Sequence, residues 1–243
     1  MAKITAKDGI VLIGGYNLST YALQYEAVKE VDAVDVTGLS DGSHNFIAGQ
    51  KIAMTTINML WDSASGKVTD ALKAPGEKNV TIMPEGYTLG AGALSMPYTQ
   101  ANFNPSGSPS TAIGVGNIKF SSYGDNYGLE YGQMLQHGSI TATTTGTAVV
   151  DAAGEGSITS VCSGTLHIWT ACATDTYAVK IQHSVDGSTS WSDLVTFTLT
   201  GAAINSERVA VESGTLRAYR RIVATRTGSA AESFGFSVFF AHA

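Results

Sequence analysis

The sequence predicts a mainly β protein built from two β-sandwiches, on three observations. Only 14% of its residues are charged, against about 25% in ordinary soluble domains, while Gly, Ser, Thr and Ala are abundant. Short apolar alternations interrupted by Gly, Asp and Asn recur from end to end, as in antiparallel strands joined by tight turns. A chain of 243 residues also exceeds the common size of one domain.

The first predicted domain covers residues 1–138 and opens with a strand within residues 8–15, between two turns. In residues 25–36 the side chains alternate with a period of two, which predicts a strand with one buried and one wet face. The apolar face carries Tyr25, Ala27, Val31 and Ala33. The acidic face carries Glu26, Glu30 and Asp32.

The next elements are a turn, a long strand and one short helix. Asp41-Gly42 predicts the turn, and residues 50–60 predict the strand. Ser65 is expected to cap a helix over residues 66–72, which Pro75-Gly76 would stop.

The rest of this domain is predicted to contain an exposed arm between short strands. Residues 80–83 are a candidate strand, and residues 86–116 carry many Gly, Ser, Asn and Pro residues with little periodicity. Such a long excursion is expected to be a loop or arm that contacts another subunit. Residues 118–122 and 129–136 are predicted to close the domain as strands.

The second predicted domain covers residues 139–243, after a change to Ser, Thr and Ala at residues 138–146. About seven short strands in roughly one hundred residues favour an immunoglobulin-like or jelly-roll sandwich. Asp186-Gly187 is a hairpin signal, and the phenylalanines at the end of the chain are expected in the core. The readable strands are residues 165–170, 177–184, 192–200, 207–212, 216–225 and 234–240.

Candidate metal ligands are few and badly spaced. Cys162, His167 and Cys172 lie five residues apart, and odd spacings on a strand turn side chains to opposite faces. A structural zinc site needs four ligands, commonly with cysteines two to four residues apart. Neither a metal nor another cofactor is expected, and the two cysteines are expected to be reduced and partly buried.

No residue pattern points to an enzyme. None of the five histidines lies near a Gly-x-Ser-x-Gly turn. A catalytic triad can also be assembled from residues far apart in the sequence, and the sequence does not exclude one. Asp32 and Asp35 would face opposite ways on a strand, unlike a glycosidase pair. A net charge of −6 disfavours a nonspecific grip on nucleic acid. The basic cluster also divides between two strand faces: Arg217, Arg220, Arg221 and Arg226.

Several motifs of residues 1–138 follow one another in an order found in a known family. They are Asp8-Gly9 and Gly14-Gly15 around the first strand, Glu30-Val31-Asp32 leading to Thr37-Gly38, then Phe46-Ile47-Ala48-Gly49, a strand, a short helix and a closing strand. With these motifs, residues 1–138 resemble the tail-tube, or major tail, proteins of tailed bacteriophages.

The resemblance implies a non-enzymatic virion protein that is assembled in the host cytoplasm. It implies a β-sandwich flanked by a helix, with six copies joined into a ring and rings stacked into a tube for DNA. Edge strands of one subunit would pair with the next. Residues 25–36 and 50–60 would form the inner wall, and residues 86–116 would reach a neighbour.

The same resemblance implies partners and a candidate channel surface. Partners would be further copies of the chain, other tail or head-tail proteins, and DNA only as passing cargo. If the acidic face lines the channel, Glu26, Glu30 and Asp32 would repel DNA phosphates. No membrane insertion is expected, because no apolar run approaches about 20 residues.

The second domain is similar to the immunoglobulin-like additions that phage structural proteins carry outward. Adhesion to cell-surface glycans through residues 139–243 is therefore one possible function of this domain. Two alternatives remain: a head decoration, collar or fibre protein, and a carbohydrate-binding adhesion module. In the adhesion module the exposed stacking residues would be Trp169, Trp191 and Tyr219.

Overall fold

A computed structural model describes residues 8–38, 42–108, 113–122, 128–151, 155–158 and 162–242. Strands make up 59% of the described residues and helix 3%, and the sheets are antiparallel. The prediction of a mainly β protein is confirmed. No helix within the described residues is long and apolar enough to cross a membrane.

The first part of the chain contains nine strands and one helix in its described residues. Their bounds are β1 Ile10–Ile13, β2 Tyr16–Asn17, β3 Ala22–Asp35, β4 Phe46–Leu60, α1 Val68–Leu72, β5 Gly76–Met83, β6 Gly92–Gln100, β7 Pro105–Ser106, β8 Gly114–Ser122 and β9 Glu130–Ile140.

The second part consists of short strands followed by longer ones. Their bounds are β10 Thr144–Thr145, β11 Val149–Val150, β12 Gly156–Ser157, β13 Cys162–Thr170, β14 Thr176–Ser184, β15 Ser192–Thr196, β16 Asn205–Val211, β17 Thr215–Leu216, β18 Tyr219–Thr227 and β19 Phe234–His242.

One twelve-stranded sheet joins the two parts. Its main path is β16-β13-β19-β9-β6-β5-β1-β2; β8, β4 and β3 branch away from β6 in that order, and β7 pairs with β8. In a second sheet β18 pairs with β14, which pairs with β15, while β10 and β11 border β18. The predicted boundary at residue 138 stays a prediction, but β9 runs across it and pairs with both β6 and β19.

Three apolar clusters lie in these layers. One packs α1 and the β3-β4-β8 sheet against β1, β5 and β6, and includes Ile57, Leu72 and Phe120. A second fills the space between the two sheets of the second part, including Phe234 and Phe236 as predicted. A third lies at the junction, where Leu12, Met83, Ala93, Met134, Phe239 and Ala241 meet.

The predicted arm over residues 86–116 is wrong. Residues Gly92–Gln100 form β6, a central strand that pairs with β5, β8 and β9. Its polar side chains suggested a loop, but Ser95 and Gln100 are buried and make hydrogen bonds; Gln100 Nε2 donates to the Leu72 carbonyl over 2.7 Å. This strand is therefore part of the core of the fold and does not reach out to another subunit as an arm. Residues 109–112 lie outside the described residues.

The predicted helix is present, but its cap is not Ser65. The helix begins at Val68, and no side chain caps it at Lys67. Instead, the backbone N–H and the hydroxyl of Thr69 both donate to the Asp62 carbonyl, at 3.0 and 2.9 Å. The Asp70 carboxylate accepts from the Gly66 N–H over 2.9 Å, which stabilises the turn before the helix.

Several predicted strands differ at their ends. β5 begins at Gly76, before the predicted residue 80, and β9 extends to Ile140. β15 ends at Thr196, and residues predicted as one strand over 216–225 divide between β17 and β18. Of the predicted turn Asp41-Gly42, Asp41 lies outside the described residues.

Candidate assembly surface

β3 and β4 form a long hairpin with an open edge. β3 has 14 residues, and β4 is its only hydrogen-bonded neighbour within the described part of the chain. The outer side of β3 therefore presents backbone N–H and C=O groups that can pair with another strand. Natural proteins usually shorten or cover such an edge. A long open edge therefore indicates that another strand pairs with it.

The outer half of the hairpin projects from the body of the protein. From Lys29 to Asp35 every residue of β3 is exposed, which means that both strand faces are open. The prediction that one face of residues 25–36 is buried is therefore wrong beyond Val28. Tyr25, Ala27 and Val28 are partly buried because the core of the first part lies under this end of the strand.

The projecting half carries an unusual number of exposed apolar side chains. Val34 is 46% exposed, and Ile47, directly opposite it, is 55% exposed. Val31, Val36 and Phe46 are also exposed. Exposed apolar side chains concentrated on one projecting element indicate a contact with another molecule.

The two strand ends that flank the hairpin turn are joined by hydrogen bonds. The Thr37 hydroxyl and backbone N–H both donate to Asp35, the latter over 2.9 Å, and the Asn45 N–H donates to the Thr37 hydroxyl over 2.9 Å. His44 Nδ1 lies 3.0 Å from the same carboxylate. The hydrogen bonds from Thr37 hold the pKa of Asp35 below its ordinary value. The two strand ends that flank the turn are thus held together before any partner binds.

The three predicted channel-facing residues are all exposed on β3. Glu26 and Glu30 line a shallow depression of about 290 Å³, together with Met54 and Lys119. Asp32 lies on the projecting part. The structure thus brings Glu26 and Glu30 onto one depression, and their role in a channel stays a prediction.

The three predicted stacking aromatics are half-buried and contact neighbours within the chain. The His137 ring lies 4.7 Å from the Trp169 ring, and Arg221 Cζ lies 3.9 Å from the centre of the Trp191 ring. Tyr219 lies against Gly187, where an added Cβ would come within 2.5 Å of the tyrosine ring. A glycan would have to compete with these contacts, and the role of all three stays a prediction.

Cys162, His167 and Cys172 are buried separately, and no metal-binding group of three or more ligands occurs among the described residues. His167 instead belongs to a hydrogen-bonded chain at the junction. Its Nδ1 accepts from the Gly15 N–H over 3.3 Å, and its Nε2 lies 2.9 Å from the Thr81 hydroxyl. Thr81 continues to Ser95 over 2.8 Å. The neutral ring therefore carries its proton on Nε2.

This neutral histidine predicts a loss of stability in acid. Burial lowers the pKa of His167 to about 3, far below the ordinary 6.5. Its contribution is fully present above pH 6.5 and is lost as the pH falls toward 3, because only the unfolded chain takes up the proton in that window. We expect about 1.4 kcal/mol per pH unit from this residue. Denaturant unfolding at pH 7, 6 and 5 measures the slope.

A His167→Gln variant is the control for this slope. Burial also lowers the pKa of His137 and His183, but both residues remain in the variant. The difference between the two proteins therefore isolates His167. Equal slopes for the two proteins between pH 5 and 6.5 would contradict the assignment.

Sequence reasoning missed the exposed apolar half of the hairpin. An alternation of apolar and charged residues predicts a strand that is buried on one side, and it carries no signal that the strand extends beyond the core. The one available signal was length, since residues 25–36 and 50–60 read as two strands, each longer than the usual five or six residues.

No known family's sequence profile matches this chain, and no curated protein matches it. A chain from the virion of a native gene transfer agent particle is 14% identical, covers 53% of this chain and 98% of its own length, and has a TM-score of 0.41. A chain from the tail of an empty gene transfer agent particle, solved with C6 symmetry, is 15% identical over 54% and 98%, with a TM-score of 0.40.

A third solved structure is similar over nearly the whole chain. The Dit protein (gp 19.1) of SPP1, described as a paradigm of the hub adsorption apparatus of phages that infect Gram-positive bacteria, is 13% identical. It covers 96% of this chain and 98% of its own length, with a TM-score of 0.35. These structures come from phage tails and phage-like particles.

Proposed function

We propose that the chain is a non-enzymatic structural subunit of a tailed-bacteriophage virion, and that it forms hexameric rings that stack into the tail tube through which DNA passes. The observation that carries the proposal is the hairpin β3-β4, with its open edge and its exposed apolar side chains. The resemblance of the motifs in residues 1–138 to tail-tube proteins supports the assignment to a tailed-bacteriophage virion.

The hairpin fits pairing between copies better than binding of a small ligand. A strand edge that adds a neighbouring strand gains backbone hydrogen bonds along its whole length, and its side chains supply the apolar contact. In a closed ring the contact is heterologous, so the hairpin of one copy lies on a different surface of the next copy. Partners in the virion would be further copies and other tail or head-tail proteins.

The proposal also gives Glu26, Glu30 and Asp32 a role. If the stretch of β3 from Glu26 to Asp32 lines the tube and the stretch from Val34 onward lies against the next copy, three carboxylates per subunit would repel DNA phosphates, and DNA would pass without sticking. Salt weakens this repulsion between the carboxylates and the phosphates, since charges further apart than about 8 Å are largely screened at physiological ionic strength.

Electron microscopy of the purified protein tests the proposal. We expect stacked rings with a central hole, at a concentration at which analytical ultracentrifugation also detects large species. Discrete monomers or trimers at every concentration tested would contradict a tube and would favour a decoration, collar or fibre protein.

A further inference from the structure

A pocket of about 220 Å³ lies where the two parts of the chain meet, away from the hairpin. The long sheet contributes Gly92 from β6, Tyr131 and Gln133 from β9, and Phe240 from β19. Arg220 of β18 in the second sheet and Asp151 complete its walls. None of the three aromatics predicted to stack on glycans lines this pocket.

The pocket contains a buried charged pair. The Arg220 side chain is 2% exposed, donates from Nη2 to the Asp151 carboxylate, and lies over the Phe240 ring with Cζ 4.7 Å from its centre. These contacts fix the plane of the guanidinium group. A buried pair held in this way is rigid, which suits specific recognition of a ligand.

Among the pocket residues, one buried polar atom lacks a hydrogen-bond acceptor and another lacks a donor. Arg220 Nε is a donor and Gln133 Oε1 is an acceptor, and neither has a hydrogen-bond partner among the described residues. Buried polar groups in native proteins nearly always have a partner. A group that both donates and accepts, such as a hydroxyl, can satisfy both kinds of atom.

The size of the pocket and its rim favour a ligand larger than one water. Its volume equals roughly seven waters at about 30 Å³ each. Tyr131 at the rim is 70% exposed, and its hydroxyl lies so close to Gly92 that a Cβ there would come within 2.4 Å. The glycine therefore leaves space for the phenol beside the pocket, where its ring can pack against an apolar ligand face.

We propose that this pocket binds one neutral sugar residue. The Arg220–Asp151 pair has no net charge, so Asp151 disfavours an anion and Arg220 disfavours a cation. A pyranose supplies hydroxyl groups for Gln133 and Arg220, and it supplies a C–H face for Tyr131. The inference does not depend on the tail-tube proposal, since the pocket and the hairpin have no residue in common.

Saturation-transfer NMR on the full chain, with methyl glycosides of glucose, galactose, mannose and N-acetylglucosamine, tests the proposal. We expect signals from at least one sugar. Tyr131→Ala should weaken the binding at least tenfold without lowering the unfolding temperature, because the side chain is mostly exposed. Gln133→Leu should also weaken it, and Val185→Ala, which removes an exposed side chain outside the pocket, should leave it unchanged.

A second arm measures binding to polymer-tethered glycans on an array. Comparing the two arms shows whether the pocket binds a free monosaccharide or a sugar residue within a longer glycan. Binding in either arm that both variants weaken supports the proposal. No binding in either arm, or binding that Tyr131→Ala and Gln133→Leu leave unchanged, would overturn it. Binding of inorganic phosphate in place of the sugars would overturn it as well, because it would identify an anion site.

Discussion

Replacing Val34 by Glu together with Ile47 by Lys should abolish polymers of this protein and leave its fold intact. The two side chains lie directly opposite each other on the projecting hairpin, and both are exposed. Burial of one such side chain is worth about 1.5–3 kcal/mol. Losing two of them at each contact should weaken association by roughly a hundredfold or more.

The hairpin itself should survive this double change. Opposite charges facing each other across two strands contribute roughly 0.2–1 kcal/mol, so the new pair replaces the apolar pair in holding the strands together. The unfolding temperature is therefore expected to stay within a few degrees of the original. Circular dichroism measures it, and negative-stain electron microscopy with sedimentation velocity measures the polymers.

A matched control places the same charges elsewhere. Val185→Glu with Val150→Lys changes two valines that are 53% and 54% exposed and lie outside the hairpin. This variant should polymerise as the original does. If the hairpin variant also polymerises with the original yield, the hairpin is not the contact surface and the proposal loses its main support.

The mainly β fold and most strand positions could be predicted from the sequence, because turn residues and the alternation of apolar and polar residues are local signals. Asp8-Gly9, Gly14-Gly15 and Asp186-Gly187 mark turns through the backbone freedom of glycine, and most long strands begin within a few residues of the predicted position. Pairing of β9 with β19 joins residues about one hundred positions apart. No local pattern contains that information.

β6 was missed because its inward side chains are partly polar. Ser95 hydrogen-bonds to Thr81 and Thr165, and Gln100 Nε2 donates to two backbone carbonyl groups, so burial of these hydroxyl and N–H groups costs little. A hydrophobic pattern cannot report partners that come from strands far away in the sequence. The pocket with Arg220 escaped notice for the same reason, since its residues come from β6, β9, β18 and β19.

Replacing Arg208 by Met should lower the free energy of unfolding by about 3–5 kcal/mol. Its guanidinium group makes two hydrogen bonds to the Glu130 carboxylate, Nη2 to Oε1 at 2.5 Å and Nε to Oε2 at 3.1 Å. Both side chains are nearly buried, and the Ser163 hydroxyl donates to the same carboxylate over 2.7 Å. The variant leaves a buried carboxylate without its main counter-charge.

The pair also joins the two parts of the chain, because Glu130 begins β9 and Arg208 lies in β16. The double variant Glu130→Leu with Arg208→Met should recover more than half of the loss, since removing both charges removes the cost of burying one alone. Lys180→Met breaks the half-exposed pair Lys180–Asp193 and should cost less than about 1 kcal/mol. Urea unfolding of all three variants decides the point: similar losses for Arg208→Met and Lys180→Met would mean that the buried pair does not stabilise the junction.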